Sequence, residues 1–264
     1  MLALKQSEAL GFSASHDNVS ACTTAMLGIR TMSLQQLKQE VLEANLEVVR
    51  RGLVLFTFGN ASGIARAQGL VVIKPSGVPY EKLKPEHMVV SDLRGNLVEG
   101  EYRPSSDLPT HLVLYRAFPQ IGGVVHTHSE YATAWAQAGV PIPCFGTTHA
   151  DYFCGDVPVT EPLRDTEVAE KYEHNTGIAI ERAFRDRDPE QMPAVLVAGH
   201  APFCWGKDVA EAIHHAVILE SVARMAYLTI SIENAAQPIS RALLDKHFFR
   251  KHGHAAYYGQ PKGS

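Results

Sequence analysis

The 264-residue chain predicts an α/β domain with an antiparallel component. Three observations carry that expectation. Short runs of β-branched and aromatic residues, bounded by Gly, Asn and Pro, alternate with amphipathic helical stretches. Two of the short runs, 88–91 and 96–98, flank Arg94-Gly95 at the spacing of a strand pair. From residue 32 onward no repeat, low-complexity block or linker interrupts the alternation.

The elements follow in chain order. Ser33 and Gln36 have capping-box spacing, and Leu34, Leu37, Val41, Ala44 and Val48 recur at i+3/i+4, which predicts an amphipathic helix ending at Gly52. Residues 53–58 and 70–73 read as strands, with Gly59-Asn60-Ala61-Ser62 a polar turn between them. A helix follows Asp107 and stops before Pro119. A strand at 122–125 then leads into a helix from Ser129 to Ala138. Residues 165–187 are helical and charge-laced, and 193–198 form a short buried strand. Asp208 and Glu211 cap a long helix to Leu228, and 240–252 form the last helix, closed by Gly253. Residues 1–31 are rich in Ser, Ala and Thr and have no sustained periodicity. The predicted organisation is therefore a disordered extension over 1–31 and one domain over 32–264.

Bulk properties exclude several function classes. With 45% apolar and 20% charged residues the chain can bury a globular core. A net charge of -4 gives no reason to expect nucleic acid or an anionic membrane as partner. No uninterrupted apolar run reaches the ~18–20 residues of a membrane helix, and the N-terminus lacks the pattern of a secretory signal. Cys22, Cys144, Cys154 and Cys204 show no C-x-x-C pair, which predicts free thiols in a reducing, cytoplasmic setting.

Thirteen histidines are the unusual feature of the composition. In Gly122-Gly123-Val124-Val125-His126-Thr127-His128, strand alternation sends His126 and His128 to the same side, where both can hold one ion. A pair of surface histidines at a strand end would read the same way. His200 closes a second short apolar run, and three histidines at strand ends are the minimum protein set for a catalytic metal that keeps positions open. Asp107, at a helix start, is the candidate carboxylate, and it suits a helix N-cap equally. Lys74-Pro75-Ser76-Gly77, Ser105-Ser106 and Gly59-Asn60 are small polar turns suited to an anion, and none has the form of a nucleotide-binding loop.

Longer strings carry a resemblance. Pro104-Ser105-Ser106-Asp107-Leu108-Pro109-Thr110, the H-x-H segment, Gly146-Thr147-Thr148-His149-Ala150-Asp151-Tyr152-Phe153, and the closing Ala256-Tyr257-Tyr258-Gly259-Gln260 resemble the class II aldolase/epimerase family, and its ketose-phosphate epimerases in particular. The likeness runs from about Met32 to Gln260. It implies a three-layer α/β/α domain around a central, largely antiparallel sheet, assembled as a homotetramer with active sites between neighbours. It also implies one divalent metal per chain, zinc before manganese or cobalt, on His126, His128 and His200 with Asp107 on or near it. Gly59, Asn60, Lys74, Ser76, Gly77, Ser105, Ser106 and His247 would meet a small phosphorylated ketose. Asp151 and Tyr258 would be the acid/base pair. Ala201 departs from the glycine usual after the third histidine, and Phe58 from the tryptophan usual in the epimerases. The implied reaction is metal-dependent epimerisation through cleavage and re-formation of a carbon–carbon bond. A sugar-phosphate aldolase and a non-catalytic, adducin-like binding module are the rival readings, and the latter predicts loss of the three histidines.

Overall fold

The structure, a computed structural model, describes residues 32–252 and 256–258. The predicted extension over 1–31, Cys22 and Gly253 lie outside the described residues. Helix α1 (Leu34–Arg50) starts where the spacing requires. The Ser33 hydroxyl accepts from the Gln36 N–H while the Gln36 side chain accepts from the Ser33 N–H, which satisfies donors a helix start leaves free. There follow β1 (Asn60–Ala65), β2 (Leu70–Ile73), β3 (Val89–Asp92), β4 (Leu97–Glu99), α2 (Leu108–Ala117), β5 (Gly123–His126) and α3 (Glu130–Ala138). The second half contains α4 (Thr147–Ala150), α5 (Asp165–Ala169), α6 (Tyr172–Ala183), β6 (Ala194–Leu196), β7 (Pro202–Gly206), α7 (Val209–Ile232) and α8 (Arg241–Lys251).

The strands form one sheet in the order β4-β3-β2-β1-β5-β7-β6, with every neighbouring pair antiparallel. Two adjacent residues of β1 show why helices cover both faces. Gly63 points at α1 and α7, where a Cβ would lie 2.6 Å from Val209 and 2.7 Å from Leu37. Ser62 points the other way and bonds His111 and Tyr115 of α2. Helix α6 packs on α2, with Gly177 set so close to Val113 that a Cβ would stand 2.7 Å away. The expected three layers are present, with the core between them.

Some expectations need correction. Residues 53–58 are not a strand: Leu55, Phe56 and Phe58 are exposed and Phe56 has φ 50°. The strand is the small-residue run Asn60–Ala65, expected to begin as a turn. Its Ala, Ser and Gly side chains are what two close helical layers allow. The 165–187 stretch is two helices, broken where Lys171 takes φ 55°. Strand β7 was not predicted, because it is buried on both faces and so shows no alternation. Helix α7 continues past Leu228 to Ile232. By length and mean hydropathy, 1.2, it also matches a membrane span. Its Ala212, Ala216 and Ala223 are buried, it packs on β5 and β7, and its Glu220 carboxylate accepts from the Tyr131 and Ala132 N–H groups of α3. Those are the contacts of a core helix.

Candidate metal centre and acid/base cluster

Strand β5 ends at His126, whose register partner is Phe203 of β7. The His126 ring stacks on Phe203 at 4.2 Å between centroids, and its Nδ1 lies 3.0 Å from the Pro202 carbonyl. A carbonyl only accepts, so Nδ1 carries the proton and Nε2 is left with a free lone pair, the form a metal ligand needs. His128 and His200 bring their rings to 4.9 Å from His126 and 5.1 Å from each other. One ligand atom from each of the three lies within 4.8 Å of the others. Tyr172 places its hydroxyl 3.3 Å from His200 Nδ1. Burial pushes His200 down to about 4 and also lowers His128, so both are neutral at pH 7, as ligation requires. This donor set fits a divalent ion.

Asp107 stands at the N-terminal end of α2 but makes no side-chain capping bond. Its Oδ2 instead accepts from Asn60 Nδ2 at 2.7 Å, and the same amide donates to Ser105 Oγ at 3.0 Å. Burial pushes the Asp107 carboxyl up. The His126 and His111 imidazoles, the Asn60 amide and His200 pull it back below the ordinary value, so it is anionic. It flanks the histidine group and is not one of the three residues whose ligand atoms converge within 4.8 Å.

The predicted phosphate-side residues are brought together at the same end of the sheet. The Ser76 N–H donates to Arg103 O and the Ser105 N–H to Lys74 O, both at 2.9 Å, which sets the 74–77 and 103–106 turns side by side. Lys74 is buried with its ammonium 4.7 Å over the Tyr80 ring, and burial pushes its pKa down to about 8. The Tyr80 hydroxyl donates to Gly59 O at 2.8 Å. Gly59 itself has φ 80°, and a Cβ there would lie 2.8 Å from the His126 carbonyl. Only glycine lets the chain pass this close behind the histidine group. Gly77 also has positive φ, at 67°, and Ser76 and Ser106 face solvent beside it.

Asp151, at the end of α4, belongs to a different cluster. It is held by a face of α8 on which His247, Arg250 and Lys251 recur at i, i+3 and i+4. His247 Nδ1 is 3.0 Å from Oδ1, Arg250 Nε 3.1 Å from Oδ1, Arg250 Nη2 2.8 Å from Oδ2 and Lys251 Nζ 3.3 Å from Oδ2. Burial raises the Asp151 carboxyl, and Arg250, His247 and Lys251 together bring it below its ordinary value. Tyr258 joins this cluster through the same cations: Arg250 lies 5.0 Å and Lys251 4.6 Å from its ring centroid.

The two groups lie at opposite ends of the β5–β7 pair. The histidines sit at the His126–Phe203 end. Tyr258 and Lys251 line a cleft with Ile121, Gly206 and Lys207, beyond the Gly123–Gly206 end. Among the described residues no hydrogen bond, ion pair or ring contact joins the Asp151 cluster to the histidines. The structure thus unites the predicted metal and phosphate residues and, separately, Asp151, His247 and Tyr258.

Sequence reasoning missed His111, Tyr115, Tyr172, Arg250 and Lys251. His111 was within reach, being four residues after Asp107 on one helix. Arg250 and Lys251 share the helical face of His247. Tyr172 gave no local signal. Of the two family departures, Ala201 is fully buried and Phe58 places its ring 6.1 Å from that of His128.

Comparison with known proteins accords with this geometry. Residues 39–227 match the family described as the class II aldolase and adducin N-terminal domain. The L-ribulose-5-phosphate 4-epimerase UlaF of Salmonella paratyphi B is 56% identical over 227 residues, spanning 86% of this chain and 100% of that protein. A solved L-fuculose 1-phosphate aldolase superposes with a TM-score of 0.71 at 26% identity, covering 84% of this chain and 98% of that one. The L-fuculose-1-phosphate aldolase of Thermus thermophilus shares the fold at a TM-score of 0.61 and 24% identity, over 77% and 98% of the two chains. With its antiparallel sheet, its histidine triad and a family match over most of its length, this chain belongs to the class II aldolase and adducin family.

Proposed function

We propose that the chain is an L-ribulose-5-phosphate 4-epimerase, interconverting L-ribulose 5-phosphate and D-xylulose 5-phosphate by breaking and remaking the bond between carbons 3 and 4. The observation that carries the reading is 56% identity across the full length of a relative named for that reaction. The histidine triad supports it, because a non-catalytic member of the family has no need of His126, His128 and His200. Identity to the fuculose phosphate aldolase is 26%, which favours the epimerase over the aldolase.

The chemistry follows from the substrate. Carbon 4 is not adjacent to the ketone, so its hydrogen is not acidic and direct deprotonation is closed. Cleaving the carbon 3–carbon 4 bond sends its electron pair toward the ketose carbonyl and turns carbon 4 into an aldehyde. Rotation of that aldehyde before the bond re-forms inverts the centre. A divalent ion held by His126, His128 and His200, zinc in our reading, supplies the Lewis acidity that makes the ketose carbonyl a sufficient electron sink.

The remaining tasks fall to side chains. One group must take the proton from the carbon 4 hydroxyl, and another must return a proton to the oxygen on the opposite face. Anionic Asp151 suits the acceptor and the Tyr258 phenol the donor, with His247 holding one carboxylate oxygen. Lys74, Ser76, Gly77, Ser105 and Ser106, with Gly59 and Asn60 behind them, hold the phosphate. That tether keeps the aldehyde fragment in place and separates epimerisation from net aldol cleavage. Because Asp151 and Tyr258 lie at the far end of the sheet from the histidines, a complete site takes them from a second copy of the chain, in a closed ring read as a homotetramer.

The test is product identification. Metal-stripped protein is reloaded with zinc and given L-ribulose 5-phosphate. Zinc-dependent appearance of D-xylulose 5-phosphate, lost in His126→Ala, supports the epimerase. Accumulation of glycolaldehyde phosphate would assign the chain to the aldolases, and zinc-loaded protein inert toward the substrate would sink the reading.

A further inference from the structure

Behind the histidines, on the α2 side of the sheet, three polar side chains form a fully buried chain with no assigned part in the reaction. Ser62 Oγ stands 2.7 Å from the Tyr115 hydroxyl and 2.7 Å from His111 Nδ1, and all three residues are 0% exposed.

Their hydrogens can be assigned by counting donors and acceptors. The Tyr115 hydroxyl faces Ser62 Oγ and the Val124 N–H, and because an N–H only donates, Ser62 Oγ is the acceptor left for the phenol hydrogen among the described residues. A phenol is a stronger donor than an alcohol, so Tyr115 donates to Ser62. The Ser62 hydrogen then goes to His111 Nδ1, which accepts. The proton of the neutral imidazole is thereby fixed on Nε2. The reverse assignment leaves the Tyr115 hydrogen without an acceptor and turns the Nε2 lone pair toward its charged surroundings. Of the polar atoms on these three side chains, Nε2 is the one buried without a partner. Asp107, one turn earlier on α2, is the charged group acting on His111. Its ring stands edge-on to Phe203 at 6.0 Å, the same ring on which His126 stacks.

We propose that Tyr115, Ser62 and His111 are a positioning relay for the metal centre: the relay locks His111 as an Nε2–H donor, and that donor fixes the Asp107 carboxylate when the centre is loaded. Asn60 already holds one Asp107 oxygen from the β1 side. A second donor from α2 sets the plane of the carboxylate and keeps its charge aimed at the histidines. The relay reaches from the middle of β1 across to α2, so it ties the sheet register to the orientation of that carboxylate. This inference rests on reading the three histidines as a metal site.

Two readouts independent of turnover test it. The first is the histidine tautomer in the unmutated, 15N-labelled protein. The expected result is an imidazole for His111 with the proton on Nε2 and Nδ1 bare, lost in Tyr115→Phe. The second is zinc affinity, measured by competition with a chromophoric chelator. His111→Asn, which has no atom at the Nε2 position, is expected to bind zinc about 10–100-fold more weakly. His111→Gln, whose amide nitrogen can reach that position, is expected to recover most of the loss. An Nδ1–H tautomer in the unmutated protein overturns the relay, as does wild-type zinc affinity in a folded His111→Asn. Failure of the unmutated protein to bind zinc overturns the metal-centre reading and the relay together. Zinc binding that is indifferent to His111 overturns the relay alone.

Discussion

Arg250 meets Asp151 with both prongs of its guanidinium, Nε 3.1 Å from Oδ1 and Nη2 2.8 Å from Oδ2. Such a planar, charge-assisted pair fixes direction as well as distance. The same guanidinium lies 5.0 Å from the Tyr258 ring, so one side chain holds both members of the proposed acid/base pair.

Arg250→Leu is therefore expected to lower kcat steeply while leaving zinc affinity unchanged, since neither the histidines nor the 74–77 turn touches Arg250. It also has a stability signature. The folded Asp151 carboxyl titrates below its ordinary value, so its contribution is present above the unfolded pKa and is lost as pH falls through the folded one. Removing Arg250 raises the folded value and should move acid unfolding to higher pH, followed by circular dichroism. An acid transition that stays in place, with kcat intact, would contradict this role. Asp151→Asn should lower the denaturant midpoint, because it removes the carboxylate that His247, Arg250 and Lys251 share.

Three histidines, His111 and His149 buried and His200 half-buried, set a second pH dependence. Burial pushes His111 down to about 3, and His149 and His200 to about 4. In the unfolded chain each titrates near 6.5. Between those values the unfolded state binds more protons, so the stability of metal-free protein falls as pH drops from 6.5 toward 4. His149 donates from Nε2 to the Gly155 carbonyl at 2.8 Å, far from the metal ligands in sequence. His149→Gln should flatten the slope by about one proton in denaturant titrations at pH 7.5 and 5. An unchanged slope would place His149 outside this account.

Lys74 predicts an alkaline effect on binding. Its ammonium is buried, and its pKa is pushed down to about 8. If it faces the substrate phosphate, KM for the phosphorylated ketose should rise as pH passes through about 8 while kcat holds, and Lys74→Met should show a high KM at every pH. A pH-independent KM would remove Lys74 from the phosphate site.

How much of this was legible in the sequence depended on whether the signal was local. The Ser33–Gln36 capping box, the hairpin around Gly95 and the H-x-H strand end are encoded within a few residues and appear in the structure as read. Strand β7 was invisible because burial on both faces removes alternation, and β1 was misread because the small residues that let two helical layers close on it also resemble a turn. In the site, the histidines and polar turns were found from residue type and position. Asp151 and Tyr258 came from resemblance alone. Their anchor, the Arg250–Lys251 face of α8, became visible only once folding had brought α4 against α8, 99 residues on in sequence from Asp151 to Arg250.

The central claim is that the metal half of one copy works with the acid/base half of another. Its most direct measurement mixes two disabled variants, His126→Ala and Tyr258→Phe, unfolds and refolds them together with zinc, and assays formation of D-xylulose 5-phosphate. Each variant alone should be nearly inactive. In a ring where each site draws on two copies, random assembly from an equal mixture gives roughly a quarter of the sites both intact halves, and activity should return to about that fraction of wild type. A mixture as inactive as its components would contradict the claim, because a site built within one chain can never be complete in either variant.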